Sequence, residues 1–158
     1  MRPVRARQII RLATKKGVTL CTAESLTGGM VAARLTGAAG ASQVLLGGIV
    51  SYDPRVKHEL LGVRQEVIER GVVSEACSRQ MALGAKERLG ADIAVSCTGL
   101  AGPGGGTAQT PVGTVFLGIA GKKGIRALEM HFSGGRKSVR RRTAAMALRL
   151  LWDEVNSW

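Results

Sequence analysis

The residues able to carry chemistry are few, and they concentrate in "TAESLTGG", residues 22–29. This stretch sets the carboxylate of Glu24, the hydroxyls of Ser25 and Thr27 and the glycines Gly28 and Gly29 between an apolar run, "GVTLC", and a helical pattern, "MVAARLTG". At a strand-to-helix turn, a serine or threonine most simply caps the helix, its side-chain oxygen taking an early backbone N–H. The same hydroxyl becomes a nucleophile when a base stands beside it. Two histidines are available, His131 inside a strand pattern that suits a structural role, and His58 on a short helical pattern beside Lys57. No motif assigns a serine–histidine–acid triad, and none excludes it. The other known solution is a serine–lysine pair. It needs a lysine whose pKa is depressed by burial or by nearby cations. Lys57 suits that role: it follows Tyr52, shares a helical pattern with Val56, Leu60 and Leu61, and has Arg55 close by.

A second stretch, "TGLAGPGGGTAQTPVG", is too long and too glycine-rich for a plain connection. It lacks the Lys-Ser/Thr ending of a phosphate-binding P-loop, and a strand rather than a helix follows it, so neither common nucleotide fingerprint fits. Glycines at this density let backbone amides approach a ligand closely and form an anion-binding nest. The three cysteines, Cys21, Cys77 and Cys97, have apolar or small neighbours and no C-x-x-C spacing. They read as buried free thiols of a cytoplasmic protein rather than a disulfide frame or a zinc site.

Lys and Arg number 23 against 11 Asp and Glu, a net charge of +12 that suits an anionic ligand. Two clusters carry much of it: Arg2, Arg5, Arg7, Arg11, Lys15 and Lys16, then Arg136, Lys137, Arg140, Arg141 and Arg142. Solvated helix faces account for most of these. Aromatics are only 3 % and no nucleic-acid motif is present, which argues against a nucleic-acid partner. No apolar run approaches the roughly 18 residues of a membrane span, and the basic start, "MRPVRARQII", lacks the apolar region of a signal peptide.

The elements that must position these groups alternate. Helical patterns cover "ARQIIRLATKKG", "LTGGMVAARLTG", "PRVKHELLG", "SEACSRQMALGAKERLG" and the segment from about Arg136 to Trp158. Strand patterns cover "VTLCTA", "SQVLLGGIVSY", "DIAVSCTG", "GTVFLGIAG" and "IRALEMHFS", the last two joined by "GKKG" as a hairpin turn. This order predicts one α/β domain over residues 1–158, a three-layer α/β/α sandwich around a mixed, mostly parallel sheet. In such folds a ligand sits beyond the carboxyl ends of the strands. That is where the turn at Ser25, the turn at Ser51–Tyr52 and the glycine loop would meet.

"TAESLTGG", "GGIVSYDPRVKHELLGV", "GVVSE", "TGLAGPGGG…PVGTV" and "FSGGRKSVRRRT", in that order, resemble the successive motifs of the CinA C-terminal domain family. The resemblance runs from about residue 18 to near the end and implies the stand-alone form, without the molybdopterin-binding-like domain that precedes the module in long members. Single-domain members include nicotinamide-nucleotide amidases (NMN deamidases). The family resemblance implies a serine–lysine amidohydrolase that converts nicotinamide mononucleotide (NMN) to nicotinic acid mononucleotide and ammonia, with no metal and no cofactor. By resemblance the nucleophile falls on Ser25, the base on Lys57 and an orienting or relaying tyrosine on Tyr52. Substrate binding falls on Thr98, Gly99 and Gly102 of the glycine loop, and the phosphate on Arg136 or Arg140. Backbone N–H groups around Thr27, Gly28 and Gly29 are the expected holders of the oxyanion. Three positions depart from the family pattern: Leu26 stands where Cys is common, Gly135 where Asp is usual, and Thr110 where Lys is frequent. The resemblance further implies a homo-oligomer. The alternatives are a catalytically weak nucleotide-binding relative, or a basic nucleic-acid-associated module linked to competence and DNA damage.

Overall fold

A computed structural model describes residues 3–158, so Arg2 of the first basic cluster lies outside the described residues. The chain runs α1 (Ala6–Lys16), β1 (Leu20–Glu24), α2 (Met30–Thr36), a 3₁₀ turn (Ala41–Gln43), β2 (Leu45–Val50), α3 (Pro54–Leu61), α4 (Gln65–Arg70), α5 (Glu75–Leu89), β3 (Ile93–Gly99), β4 (Thr114–Gly121), β5 (Gly124–His131) and α6 (Arg136–Asn156). Local chemistry explains most boundaries. Gly17, Gly62 and Gly90 end α1, α3 and α5 in the left-handed conformation that glycine adopts freely. Asp53 caps α3 through the Arg55 N–H with Pro54 next to it, and Ser74 caps α5 through the Cys77 N–H.

The five strands lie in the order β2-β1-β3-β4-β5. β1 pairs in parallel with β2 and β3, while β4 runs antiparallel to both β3 and β5. The sheet is therefore mixed and mostly parallel, as expected: β2, β1, β3 and β5 run one way and β4 alone runs against them. Parallel neighbours need a helical crossover, and only the β1–α2–β2 and β2–α3–α4–α5–β3 segments supply one.

Helices cover both faces. Leu20, Ile93, Val95, Cys97, Val115, Leu117 and Ile119 pack with α1, α2 and α6, whereas Cys21, Ala23 and Ala94 pack with α3, α4 and α5. The alternation along each strand is the period of two that sends successive side chains to opposite faces. All three cysteines are buried and free: Cys21 and Cys77 on the α3–α5 side, Cys97 on the other. No helix among the described residues is long and apolar enough to cross a membrane.

Two expectations change. The helical pattern beginning at Leu26 forms helix only from Met30, because Gly28 (φ 57°) and Gly29 (φ 101°) take left-handed conformations that end one turn before the helix starts. The six-residue α4 was absent from the sequence reading; only Val67 of it is buried, too little to leave a periodic signal.

α3 is held tightly. A Cβ added at Gly84, in the middle of α5, would lie 1.8 Å from the Leu61 carbonyl oxygen. Glycine in a helix interior costs roughly 1 kcal/mol against alanine. What it allows here is direct backbone contact between α5 and the last residue of α3.

Candidate active site

The registers bring the ends of β1, β2 and β3 to one edge, with Glu24 level with both Val50 and Cys97. The residues that follow each strand converge there: Ser25 after β1, Ser51 and Tyr52 after β2, and the glycine loop after β3. Antiparallel β4 starts at the same edge, since Val115 pairs with Gly99, and β5 ends there opposite Thr114. The chain then enters α6, whose first residue is Arg136.

At this edge lies a cavity of about 230 Å³. Ser25, Lys57, Thr98, Gly102 and Arg136 line it, and Pro54, Val72, Val73 and Leu100 supply apolar wall. A larger groove of about 1040 Å³ between α1 and α6 is lined by Arg5, Arg7, Arg11, Lys15 and Trp152. It holds no nucleophile and none of the predicted site residues, which gather instead at the smaller cavity.

Lys57 is 1 % exposed, and its Nζ lies 3.0 Å from the Ser25 Oγ. Its other partners are two backbone carbonyls, those of Ser51 and Tyr52, the latter at 3.3 Å. No carboxylate pairs with it; Asp53 pairs with Arg55 instead. Burial pushes the Lys57 ammonium below its usual pKa, opposed by Cys77, Cys97 and Asp53. The thiols oppose it only as thiolates, and burial pushes them up, Cys77 to about 11 and Cys97 to about 12, so both are neutral at pH 7. A neutral amine has two N–H bonds and one lone pair. In that form two carbonyls take the N–H groups and the lone pair faces the Ser25 hydroxyl; in the ammonium form the same three oxygens take its three N–H groups.

Neither histidine competes for this role. The His58 Nδ1 sits 2.7 Å from the Val63 carbonyl, and His131 pairs with Glu129. Neither lines the cavity.

The turn holding Ser25 departs from its expected use. The carboxylate of Glu24, 1 % exposed, accepts from the Thr27 hydroxyl at 2.6 Å and from the N–H groups of Gly29 (3.0 Å), Val31 (3.1 Å) and Ala32 (2.8 Å). Thr22 adds a longer contact of 3.4 Å. Glu24 therefore does what a hydroxyl cap was expected to do. Gly29, which has no side chain, stands at the N-cap position of α2, and Thr27 is not the cap. Two of the amides expected for the oxyanion are occupied: the Gly28 N–H bonds the Ser25 carbonyl and the Gly29 N–H bonds Glu24. Thr27, Gly28 and Gly29 do not line the cavity. They shape the turn that presents Ser25.

Other expected roles also shift. The Tyr52 hydroxyl accepts from Arg136 Nη2 at 3.1 Å, and only the Tyr52 carbonyl touches Lys57. Thr98 lines the cavity with its hydroxyl donated to the Val72 carbonyl at 2.8 Å, tying the glycine-loop strand to the apolar wall. Gly99 also lines the cavity. Of the two arginines, Arg136 reaches it, with Nη1 donating to the Gly102 carbonyl at 2.8 Å. Arg140 does not; it donates to the Leu26 carbonyl at 2.8 Å and to that of Thr27 at 3.4 Å, supporting the Ser25 turn from behind. Thr110 lies outside the cavity, its N–H bonded to the Thr107 hydroxyl. Gly135, at the N-cap position of α6, contributes no side-chain cap.

Residues 4–155 match the CinA C-terminal domain. The chain belongs to the CinA C-terminal domain family. This CinA domain is 44 % identical over 141 residues to a CinA-like protein of Thermotoga maritima, a match covering 89 % of the chain and 34 % of that protein. The domain thus spans about a third of the length of several curated relatives it matches. It is also 47 % identical over 135 residues to the nicotinamide-nucleotide amidohydrolase PncC of Enterobacter agglomerans, covering 84 % of the chain and 82 % of that protein. Among solved structures, the competence/damage inducible protein CihA of Agrobacterium tumefaciens superposes with a TM-score of 0.92 at 42 % identity, over 96 % of this CinA domain and 93 % of that chain. A CinA superfamily protein from Klebsiella pneumoniae gives 0.91 at 34 % identity, over 97 % and 96 %.

Sequence reasoning missed three parts of this CinA site. Ser51 supplies a carbonyl to Lys57, and Val72 and Val73 form wall. Glu24 was singled out in sequence as a carboxylate that orients Ser25 or its turn, without a catalytic step, and it holds that turn. A backbone carbonyl leaves no trace.

Proposed function

We propose that the chain is an amidohydrolase that deamidates nicotinamide mononucleotide through an acyl-enzyme formed on Ser25. The observation carrying this is the 3.0 Å approach of a buried, carboxylate-free Lys57 amine to the Ser25 hydroxyl. The name of the Enterobacter agglomerans relative supports the choice of a nicotinamide nucleotide.

Neutral Lys57 takes the proton of the Ser25 hydroxyl as Oγ attacks the carboxamide carbon. The resulting Lys57 ammonium gives that proton to the departing nitrogen, the C–N bond breaks and ammonia leaves. Water then attacks the ester, with Lys57 taking its proton and returning one to Ser25 Oγ as nicotinic acid mononucleotide departs. Charge on Lys57 is transient and faces the carbonyls of Ser51 and Tyr52, which stabilise it while it lasts. The Leu26 N–H, which no acceptor takes among the described residues, is the oxyanion donor that remains next to the nucleophile. At about 230 Å³ the cavity is smaller than the usual range of roughly 300–1,000 Å³ for ligand pockets. It takes the pyridine carboxamide, while ribose and phosphate lie at the mouth, where Arg136 rather than Arg140 meets the phosphate.

Ammonia release from nicotinamide mononucleotide, nicotinamide and unrelated amides tests this directly. Ser25→Ala is expected to lower turnover about 10⁴-fold or more while circular dichroism stays unchanged. A Ser25→Ala chain with full activity would sink the assignment.

A further inference from the structure

Among the buried ionisable groups at the site edge, Glu24 has no step in the reaction just described. Yet five donors converge on its two oxygens: the Thr22 and Thr27 hydroxyls and the N–H groups of Gly29, Val31 and Ala32. Three of these lie beyond Ser25 in the chain's two-glycine turn and the first turn of α2, and one is Thr27 inside that turn. Glu24 itself is the last residue of β1, locked by pairing to Val50 on one side and Cys97 on the other. The nucleophile is thus suspended between a fixed strand end and a helix that the same residue's side chain holds in place. Ser25 adds its own ties, its N–H to the Cys97 carbonyl and its carbonyl to the Gly28 N–H. The Glu24 main chain serves the other half of the pair: its carbonyl takes the Ser51 N–H, and the Ser51 carbonyl faces Lys57.

We propose that Glu24 is a positioning residue for the nucleophile, its side chain setting the angle at which the Ser25–Leu26 turn presents Oγ to Lys57. The inference rests on the reading of Ser25 as the nucleophile. A carboxylate is the one side chain of this length that only accepts. Glutamine has the same shape, but its NH₂ would face at least one N–H or O–H already aimed at it. The turn must then move, and a displacement of about 1 Å at a reacting group can cost on the order of 100-fold in rate.

The test is Glu24→Gln, read by ammonia release from nicotinamide mononucleotide and by the rate at which phenylmethylsulfonyl fluoride modifies Ser25, mapped by peptide mass spectrometry. The expected result is kcat lower by about 100-fold, KM within about twofold, and labelling slowed in parallel, all measured well below the melting temperature. KM holds because Val72, Val73, Thr98 and Arg136, which line the cavity, make no hydrogen bond to the Glu24 side chain. A purely structural carboxylate would lower the melting temperature and leave kcat and labelling untouched in the folded fraction, and that result overturns the inference. If Glu24→Gln does not fold, Thr27→Val decides: it deletes one donor of the set without changing shape. Labelling slowed about tenfold supports positioning, and wild-type labelling overturns it. A wild-type chain that is never modified at Ser25, or an active Ser25→Ala chain, overturns the assignment of the nucleophile and this inference with it. A labelled, Ser25-dependent enzyme that is indifferent to Glu24→Gln overturns this inference alone.

Discussion

Glu24 and Lys57 lie at the same edge of the sheet, each 1 % exposed, and they are provided for in opposite ways. Glu24 draws five donors onto two oxygens. Lys57 meets no carboxylate at all, only two carbonyls and the Ser25 hydroxyl. A buried charge is expensive unless hydrogen-bonded or paired. Glu24 is compensated in full, which makes it a fixed point. Lys57 has three neutral oxygen neighbours and no countercharge, and burial lowers its pKa, so it holds its proton less tightly than a free lysine. Two buried ionisable residues at one sheet edge thus do different jobs because of what surrounds them rather than what they are.

The strongest way to break this comparison is Lys57→Met. If Lys57 is the base, turnover falls about 10⁴-fold. The same variant tests the protonation state through stability. Burial holds the native Lys57 pKa below the ordinary 10.5 of the unfolded chain, so between those values the unfolded state binds the extra proton. Unfolding free energy therefore gains with rising pH in that window, by at most about 1.4 kcal/mol per pH unit, and the gain stops above 10.5. Chemical denaturation against pH should show this rise in the wild-type chain and lose it in Lys57→Met. An unchanged slope would mean that Lys57 is protonated in the folded state, and the contrast with Glu24 would collapse.

Gly84→Ala probes the scaffold under the lysine. The new Cβ would overlap the Leu61 carbonyl, so α3 must shift away from α5. Overpacking of this kind costs about 1–3 kcal/mol, read as a lower denaturation midpoint. Activity should fall as well, because Lys57 rides on α3 while Ser25 and Glu24 do not. Full activity in a destabilised variant would show that the lysine's reach is set by its two carbonyl partners alone.

The mildest change sharpens the comparison from outside. Tyr52 is 61 % exposed and its hydroxyl meets Arg136 only. Tyr52→Phe should raise KM about threefold, on the order of a single exposed hydrogen bond, and leave kcat alone. A large kcat loss would restore the phenol as a proton relay for Lys57.

Much of this was legible in the sequence, for identifiable reasons. The short apolar runs of "VTLCTA" and "DIAVSCTG", and Gly17, Gly62 and Gly90 as helix stops, act locally and read directly as structure. Ser25 and Lys57 stood out as types and, through the family motifs, as a pair; in space they meet across 32 positions of chain. What stayed hidden depends on which partner a group finds. Thr27, Gly28 and Gly29 looked free to hold an oxyanion because nothing in their spacing reveals that Ser25 and Glu24 absorb the two glycine N–H groups and that all three residues lie outside the cavity. Arg136 and Arg140, one helical turn apart, carry the same charge, yet one enters the cavity and the other braces the turn behind it. Which strand opposes the others was hidden for a similar reason: the glycine loop shows no helix, and only its path in space decides that β4 returns antiparallel.

The three buried thiols turn this fold into its own stopwatch. At neutral pH Cys21, Cys77 and Cys97 are almost wholly un-ionised, with pKa values pushed to about 12, 11 and 12, and all are at most 1 % exposed. Alkylating reagents can reach them only when the chain opens locally. Cys21 and Cys77 report on the layer that carries Lys57, whereas Cys97, in contact with Thr27, reports on the turn that carries Ser25. Timing the two signals separately would show which half of the Ser25–Lys57 pair breathes first, with no label engineered into the protein.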